Sequence, residues 1–388
     1  MINYSNVLSK NVKQIKPSGI RRFFDIANTM EGVISLGVGE PDFRTPWQIR
    51  SAGIKALEAA KTRYTSNGGL MELRSEIAHY VERKYGARYS PNDQILVTVG
   101  GSEAIDIAIR ALIEPGDEVI IPQPSYVCYE PITALAGGKP VLINTKAEND
   151  FKLMPDELSA AISDKTKLLI LPYPSNPTGA IMERADLLAL CEVLRGTDII
   201  IISDEIYSEL TFGTSHTSAA SIPELYERVI MINGFSKSFS MTGWRLGYAC
   251  GPSEIMSEIT KIHQYAIMCA PTTSQYAAIE ALKRCDGDVS DMLAEYDARR
   301  RFIVKGFCDI GLSCREPKGA FYAFPSIKST GLCSEEFCEK LLYSKKVALV
   351  PGTAFGRSGE GFVRASYCYS MMHIKEALER IRSFISEL

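Results

Sequence analysis

The sequence runs to 388 residues with a formal net charge of −3 and 46% hydrophobic residues. That length exceeds one ordinary core and suffices for two domains, and the near-neutral charge argues against a large basic surface for nucleic acid or an anionic membrane. No apolar run nears bilayer-spanning length, the opening Met1-Ile2-Asn3-Tyr4-Ser5-Asn6 lacks the parts of a secretory signal, and ten cysteines are scattered singly, so reduced, buried thiols in the cytoplasm are expected. His79, His216, His263 and His373 are not spaced as metal pairs, so no metal site is expected.

From about residue 95, short apolar runs alternate with longer amphipathic stretches. The runs lie at 95–99, 118–121, 140–143, 168–171, 199–202 and 229–232. Runs rich in Val and Ile, without polar alternation, fit strands covered on both faces. Helical periodicity spans 103–113 and 185–194. The pattern predicts an α/β fold with a mainly parallel sheet and helices on both sides. After about residue 288 the texture changes to a charged helix over 291–305, a strand-like alternation over 319–324, and a closing helix from about His373. This predicts a large domain over 47–287 and a smaller α+β domain over 288–388, with the segment 1–46 packing against the smaller one.

In such sheets a ligand sits beyond the carboxyl ends of the strands, and polar clusters fall there. Gly100-Gly101-Ser102 follows the first run and opens a helix, where glycines and free N–H groups suit an anion; alone, the pair of glycines reads as a turn. It is not a Walker loop, since no Gly-Lys-Ser/Thr ending follows. Asn176 lies in Pro174-Ser175-Asn176-Pro177-Thr178-Gly179, which is turn chemistry with a donor placed to reach a ring oxygen. Asp204 and Tyr207 follow the run at 199–202. Capping of a short helical turn explains that spacing, and so does a carboxylate that holds a pyridine nitrogen protonated with a phenol on the same face. Tyr126 is an aromatic on another loop, fit for a core or for stacking on a flat ring.

Lys237 follows the run at 229–232 in Phe235-Ser236-Lys237-Ser238, and Arg245 comes eight positions later. A lysine acts as a nucleophile only when burial or a neighbouring cation strips its proton. A buried amine beside an anion clamp suits a Schiff base to a phosphorylated aldehyde. Arg364, in Phe362-Val363-Arg364-Ala365-Ser366, is either half of an ion pair or a two-point carboxylate ligand. A Rossmann dehydrogenase is disfavoured, because Gly37-Val38-Gly39 lacks the later glycine.

Taken together these segments resemble the class I and II aminotransferases of the aspartate aminotransferase superfamily, pyridoxal-phosphate fold type I. The resemblance spans Leu36-Gly37-Val38-Gly39-Glu40-Pro41-Asp42-Phe43, Arg63-Tyr64-Thr65, Gly100-Gly101-Ser102, Tyr126, the loop around Asn176, Ser203-Asp204-Glu205-Ile206-Tyr207, Ser236-Lys237 through Arg245, and Arg364. It looks closest to bacterial N-acetyl-L,L-diaminopimelate and aromatic aminotransferases. It implies a mainly parallel seven-stranded sheet and pyridoxal 5'-phosphate bound as a Schiff base on Lys237, which also shuttles the substrate α-proton. Asp204 would pair with the pyridine nitrogen, Asn176 and Tyr207 would bond the ring oxygen, and Tyr126 would stack on the ring. Gly101, Ser102, Ser236 and Arg245 would hold the phosphate. Tyr64 would reach the phosphate of a neighbouring subunit, making the unit a homodimer. Arg364 would bind the substrate α-carboxylate, helped by the backbone at Gly37, and Ser18-Gly19-Ile20-Arg21 would close over it.

The implied reaction is ping-pong transfer of an amino group from an L-amino acid to a 2-oxo acid such as 2-oxoglutarate. Aromatic amino acids, aspartate and N-acetyl-L,L-diaminopimelate are the candidate donors. Arg110 and Arg21 stand as candidates for a second basic residue that reads the side chain. A carbon–sulfur β-lyase on the same site, and a binding or regulatory protein on the same fold, are the alternatives.

Overall fold

The computed structural model describes residues 2–17, 19 and 30–388. After two short helical turns and β1 (Ile34–Ser35), the chain enters α1 (Trp47–Glu58) and α2 (Met71–Tyr85). The last ends on Gly86, whose positive φ of 75° closes the helix in the left-handed conformation. Strands and helices then alternate through β2 (Ile95–Thr98), α3 (Gly101–Leu112), β3 (Glu118–Gln123), α4 (Tyr129–Leu135), β4 (Lys139–Asn144), α5 (Pro155–Ala161), β5 (Thr166–Leu171) and α6 (Arg184–Leu194). They continue with β6 (Ile200–Asp204), β7 (Val229–Gly234), β8 (Gly247–Cys250), α7 (Ser253–Ala266) and α8 (Thr272–Arg284).

β2 to β8 form one seven-stranded sheet in the order β2-β8-β7-β6-β5-β3-β4. Only β8 runs against the others, pairing antiparallel with β2 and β7. β7 is buried throughout, as is most of β5 and β6, and both faces are covered by helices, which is why these segments read as unbroken Leu, Ile and Val. Each such side chain gains about 1.5–3 kcal/mol when fully buried. Two strands depart from the sequence expectation. β4 lies at the sheet edge and is half-exposed rather than covered on both faces. β8 carries no Val or Ile run, only Gly-Tyr-Ala-Cys, and is a strand because two flanking strands complete its ladder.

The remaining chain begins with the 24-residue α9 (Asp286–Asp309), longer at both ends than its charged centre suggested. β9 (Tyr322–Ala323), α10 (Ser334–Lys345), β10 (Val347–Ala348), β11 (Val350–Pro351), β12 (Val363–Ser366) and α11 (Met371–Ser386) follow. β11, β12 and β9 form an antiparallel sheet, and β1 pairs in parallel with β10. The alternation at 319–324 yields a strand of two residues only. Ala320 takes a left-handed φ of 57°, and Gly319 bridges Thr211 instead of extending β9. The ten cysteines are all free, but Cys308 and Cys333 are exposed, contrary to the expected burial, because they sit on the outer sides of α9 and the turn into α10.

Candidate active site

The C-terminal ends of β2, β5, β6 and β7 converge on one cavity of about 320 Å³, closed on its far side by β9 and β12. At the end of β2, Gly100 adopts φ +80° and leads into α3, whose first residues carry no side-chain cap. Gly101 and Ser102 line the cavity, so the helix start, whose first N–H groups have no intrahelical partner, and the positive end of its dipole lie there. Glycine is required at position 100 for a second reason. A Cβ there would lie 2.7 Å from Nη2 of Arg245, so its absence lets the guanidinium lie across the turn. Gly101 and Ser102 on α3, with Ser236 and Arg245 opposite, complete this cationic corner of the cavity lining.

Asp204 ends β6, buried within the sheet. Its Oδ2 accepts from the Tyr129 hydroxyl at 2.6 Å, and its Oδ1 accepts from the Ile206 N–H at 3.2 Å. The capping explanation thus accounts for one oxygen only. Burial raises the carboxyl above its ordinary value, against the two hydrogen bonds that favour the ion. Tyr207 lies in the turn after β6, not on a helix, and reaches the cavity by that turn. Its hydroxyl is 2.8 Å from that of Tyr322, and burial pushes its pKa upward. Tyr126 lines the same wall and meets Tyr129 edge-on, with ring centroids 6.0 Å apart.

Lys237 follows β7 and donates from Nζ to the Gly39 carbonyl oxygen at 2.7 Å. Its pKa falls from 10.5 to about 8, chiefly through burial; Arg364 and Arg245 push it further down, while Cys368 and Glu40 oppose them. Arg364, on β12, is sandwiched between the rings of Tyr322 and Phe355, with its central carbon 4.4 and 4.7 Å from their centroids. Its Nη1 donates to Asn176 Oδ1 at 2.8 Å and its Nη2 to the Gly37 carbonyl. Its Nε is buried without a partner among the described residues.

Ten of the residues singled out in the sequence, Lys237, Asp204, Tyr207, Asn176, Tyr126, Gly101, Ser102, Ser236, Arg245 and Arg364, line this one cavity. Gly37 does not; it holds Arg364 from behind, and its own N–H is given to Ser35 Oγ at 3.3 Å. Tyr64 lies outside the cavity on a surface loop, with 81% of its area exposed. Arg110, a candidate for the second basic residue, lies outside this cavity: it is exposed on α3 and pairs with Asp106 at 2.9 Å, one helical turn away. Of the segment 18–21 only Gly19 belongs to the described residues; Ser18, Ile20 and Arg21 lie outside them. Sequence reasoning missed Tyr129, Tyr322 and Gly39. Tyr129 follows Tyr126 by three positions at the start of α4, a spacing that could have drawn attention to it. Tyr322 was hidden in what read as an ordinary core strand.

The sequence matches the family described as aminotransferase class I and II over residues 31–381. The chain belongs to that family. It is 51% identical to a putative aminotransferase, YugH, of Bacillus subtilis (strain 168), over 98% of this chain and 99% of that protein. It is 44% identical to an aspartate aminotransferase of Pyrococcus abyssi (strain GE5 / Orsay), over 98% of each. The crystal structure of an aromatic aminotransferase from Pyrococcus horikoshii OT3 superposes with a TM-score of 0.90 at 43% identity, covering 94% of this chain and 99% of that one. The fold is that of pyridoxal-phosphate fold type I, and this aminotransferase is a pyridoxal-phosphate enzyme. Among the described residues no helix is long and apolar enough to cross a membrane.

Proposed function

We propose that this aminotransferase moves the amino group of an L-amino acid to a 2-oxo acid, with 2-oxoglutarate as acceptor, in a ping-pong sequence centred on Lys237. The observation that carries the reading is the buried Lys237 amine, its basicity lowered to about 8, in one cavity with a buried carboxylate and a buried arginine. At neutral pH roughly a tenth of such amines are unprotonated, against roughly three in ten thousand at the ordinary lysine value. That is the state a Schiff-base lysine needs.

The residues fit pyridoxal 5'-phosphate. The uncapped start of α3, Gly101, Ser102, Ser236 and Arg245 would take the phosphate, as anions are held at helix N-termini. Tyr126 would lie on the ring, Asp204 would hold its nitrogen protonated, and Asn176 and Tyr207 would bond its oxygen. When bound, the cofactor supplies an electron sink and carries the nitrogen between the two half-reactions. Arg364 would grip the substrate α-carboxylate through the face where its Nε is unsatisfied, helped by the backbone of Gly37. Asn176 and Arg364 are already joined, so one contact registers substrate against cofactor oxygen. Lys237 then removes the α-proton and returns it as general acid. Gly39 O, which holds Nζ, marks one end of its swing.

Donors with aromatic side chains suit the apolar walls offered by Ile105, Pro172, Pro174 and Tyr322. Aspartate and N-acetyl-L,L-diaminopimelate are the competing donors. We place the enzyme in the cytoplasm as a homodimer. The exposed Tyr64 would reach the partner's phosphate, and Trp47, Leu57 and Tyr265 are likewise exposed. We propose a domain division of 1–46, 47–287 and 288–388, the last boundary falling in the first turn of α9.

Borohydride reduction of the purified enzyme, followed by peptide mapping, tests the centre of this reading. The label is expected on Lys237, and a label elsewhere removes it. A panel of donors against 2-oxoglutarate ranks the substrates. Pyruvate and ammonia released from cystathionine without an oxo acid would replace transamination with β-elimination.

A further inference from the structure

Tyr322 is almost fully buried on β9 and is fixed by its pairing opposite Ser366 on β12, with Arg364 two residues away on the same strand. It makes three contacts that no other side chain of the site combines. Its hydroxyl is 2.8 Å from the Tyr207 hydroxyl. Its ring lies under the Arg364 guanidinium at 4.4 Å. Its oxygen also presses on the backbone of Gly39, where a Cβ would come within 1.9 Å of it. The carbonyl of that same glycine receives the Lys237 amine.

A phenol has one proton. If Tyr207 gives its proton to a ligand oxygen, its own oxygen must accept, and Tyr322 is the donor in place to satisfy it. A donor on a phenol oxygen makes that phenol a better donor in turn, because hydrogen bonds in a dry chain polarise one another. The Tyr322 ring meanwhile holds a buried guanidinium, the setting in which cation–π contacts are strongest.

We propose that Tyr322 is the positioning residue that couples the two halves of the site, backing Tyr207 through its hydroxyl and seating Arg364 through its ring. Arg364 also lowers the pKa of the Tyr322 phenol, although burial dominates and leaves it at about 12. Tyr322 is therefore neutral and able to donate at every pH where the enzyme works.

The inference rests on the proposed roles of Tyr207 and Arg364, and two substitutions in the holoenzyme separate its parts. Tyr322→Phe removes the hydroxyl and keeps the ring. Weaker support for Tyr207 leaves the cofactor oxygen less stabilised as an anion, so the neighbouring proton is held more tightly. The pH midpoint of the bound cofactor's absorbance change is expected to rise by about half a pH unit, with KM unchanged. Tyr322→Leu removes the ring as well, and KM for amino acids and oxo acids alike is expected to rise about fivefold more than kcat falls. If the leucine variant does not fold, Tyr322→Met fills similar volume without an aromatic face and takes its place. An unmoved midpoint in Tyr322→Phe, or an unchanged KM in the aliphatic variant, overturns the proposal. Either result with borohydride label still on Lys237 leaves the functional reading standing; loss of that label in the unsubstituted enzyme overturns the functional reading instead.

Discussion

The amine of Lys237 and the carbonyl oxygen of Gly39 lie 2.7 Å apart, although 198 residues separate them in the chain. A main-chain carbonyl accepts from the charged or the neutral amine, so it orients Nζ without fixing its proton. The proton is governed by burial, which brings the pKa to about 8.

The rate at which apoenzyme takes up pyridoxal phosphate should therefore rise with pH along a curve centred near 8, followed by the growth of cofactor absorbance. The same shift acts on stability. Between about 8 and 10.5 the unfolded chain holds a proton that the folded apoenzyme has released, so unfolding free energy rises with pH across that window. Urea denaturation of apoenzyme at pH 7.5 and 9.5 checks it, with Lys237→Met removing the increment. An uptake curve centred near 10 would contradict the burial argument.

Tyr129 supplies the stronger of the two hydrogen bonds to Asp204, at 2.6 Å. Tyr129→Phe leaves that carboxylate oxygen buried without its donor, so the carboxyl, already raised by burial, rises further. The role proposed for Asp204 requires it ionised. Activity is lost as pH falls through the carboxyl's value, and the variant must lose it at higher pH. We expect the acid limb of kcat/KM to move upward by about one pH unit, with a loss of about tenfold at pH values on that limb. An acid limb in the same place would show that Tyr129 packs against Asp204 without tuning it.

The large sheet was legible because burial on both faces forces unbroken apolar strands, and because polar residues that end such strands are conspicuous. That logic found Asp204, Lys237 and the glycines before α3. It failed where a residue owes its position to pairing with a distant partner. β8 is a strand through β2 and β7, not through its own composition. Tyr322 looks like a core residue from its neighbours, and its hydroxyl contact to Tyr207 joins positions 115 residues apart. Tyr64 is the opposite case. Its ring is exposed, and the resemblance alone drew attention to it.

Arg364 contacts Asn176, Gly37, Tyr322 and Phe355 with one planar group. Lysine keeps the charge but cannot span the first two or lie flat between the rings. Arg364→Lys should raise KM for every amino acid by about a hundredfold, equivalent to about 2–3 kcal/mol for a charge-assisted two-point contact. Borohydride labelling of Lys237 should persist. Steady-state kinetics with an amino acid and with the corresponding amine, which lacks the α-carboxylate, separates the causes. The amine should lose little between the two proteins. An equal loss for both would mean that Arg364 shapes the cavity rather than binding the carboxylate.

Gly39→Ala is the most demanding test of how tightly the site is built. The residue does not need glycine for its backbone, since it is absent from the positive-φ glycines. It needs glycine for space: the added methyl would sit 1.9 Å from the Tyr322 oxygen and 2.8 Å from its Cζ. One of the two must move. Tyr322 is held by β9 and β12, whereas Gly39 lies in the connection from β1 to α1, so the connection should give way and carry its carbonyl off Lys237. Tyr322→Phe removes the atom in closest conflict while leaving the ring carbon. The double substitution should therefore recover part of the activity that Gly39→Ala loses, although Tyr322→Phe alone lowers activity. Such non-additivity is what a shared contact produces, and it is expected at about 1 kcal/mol in kcat/KM. Strict additivity across the cycle would show that the two residues act independently.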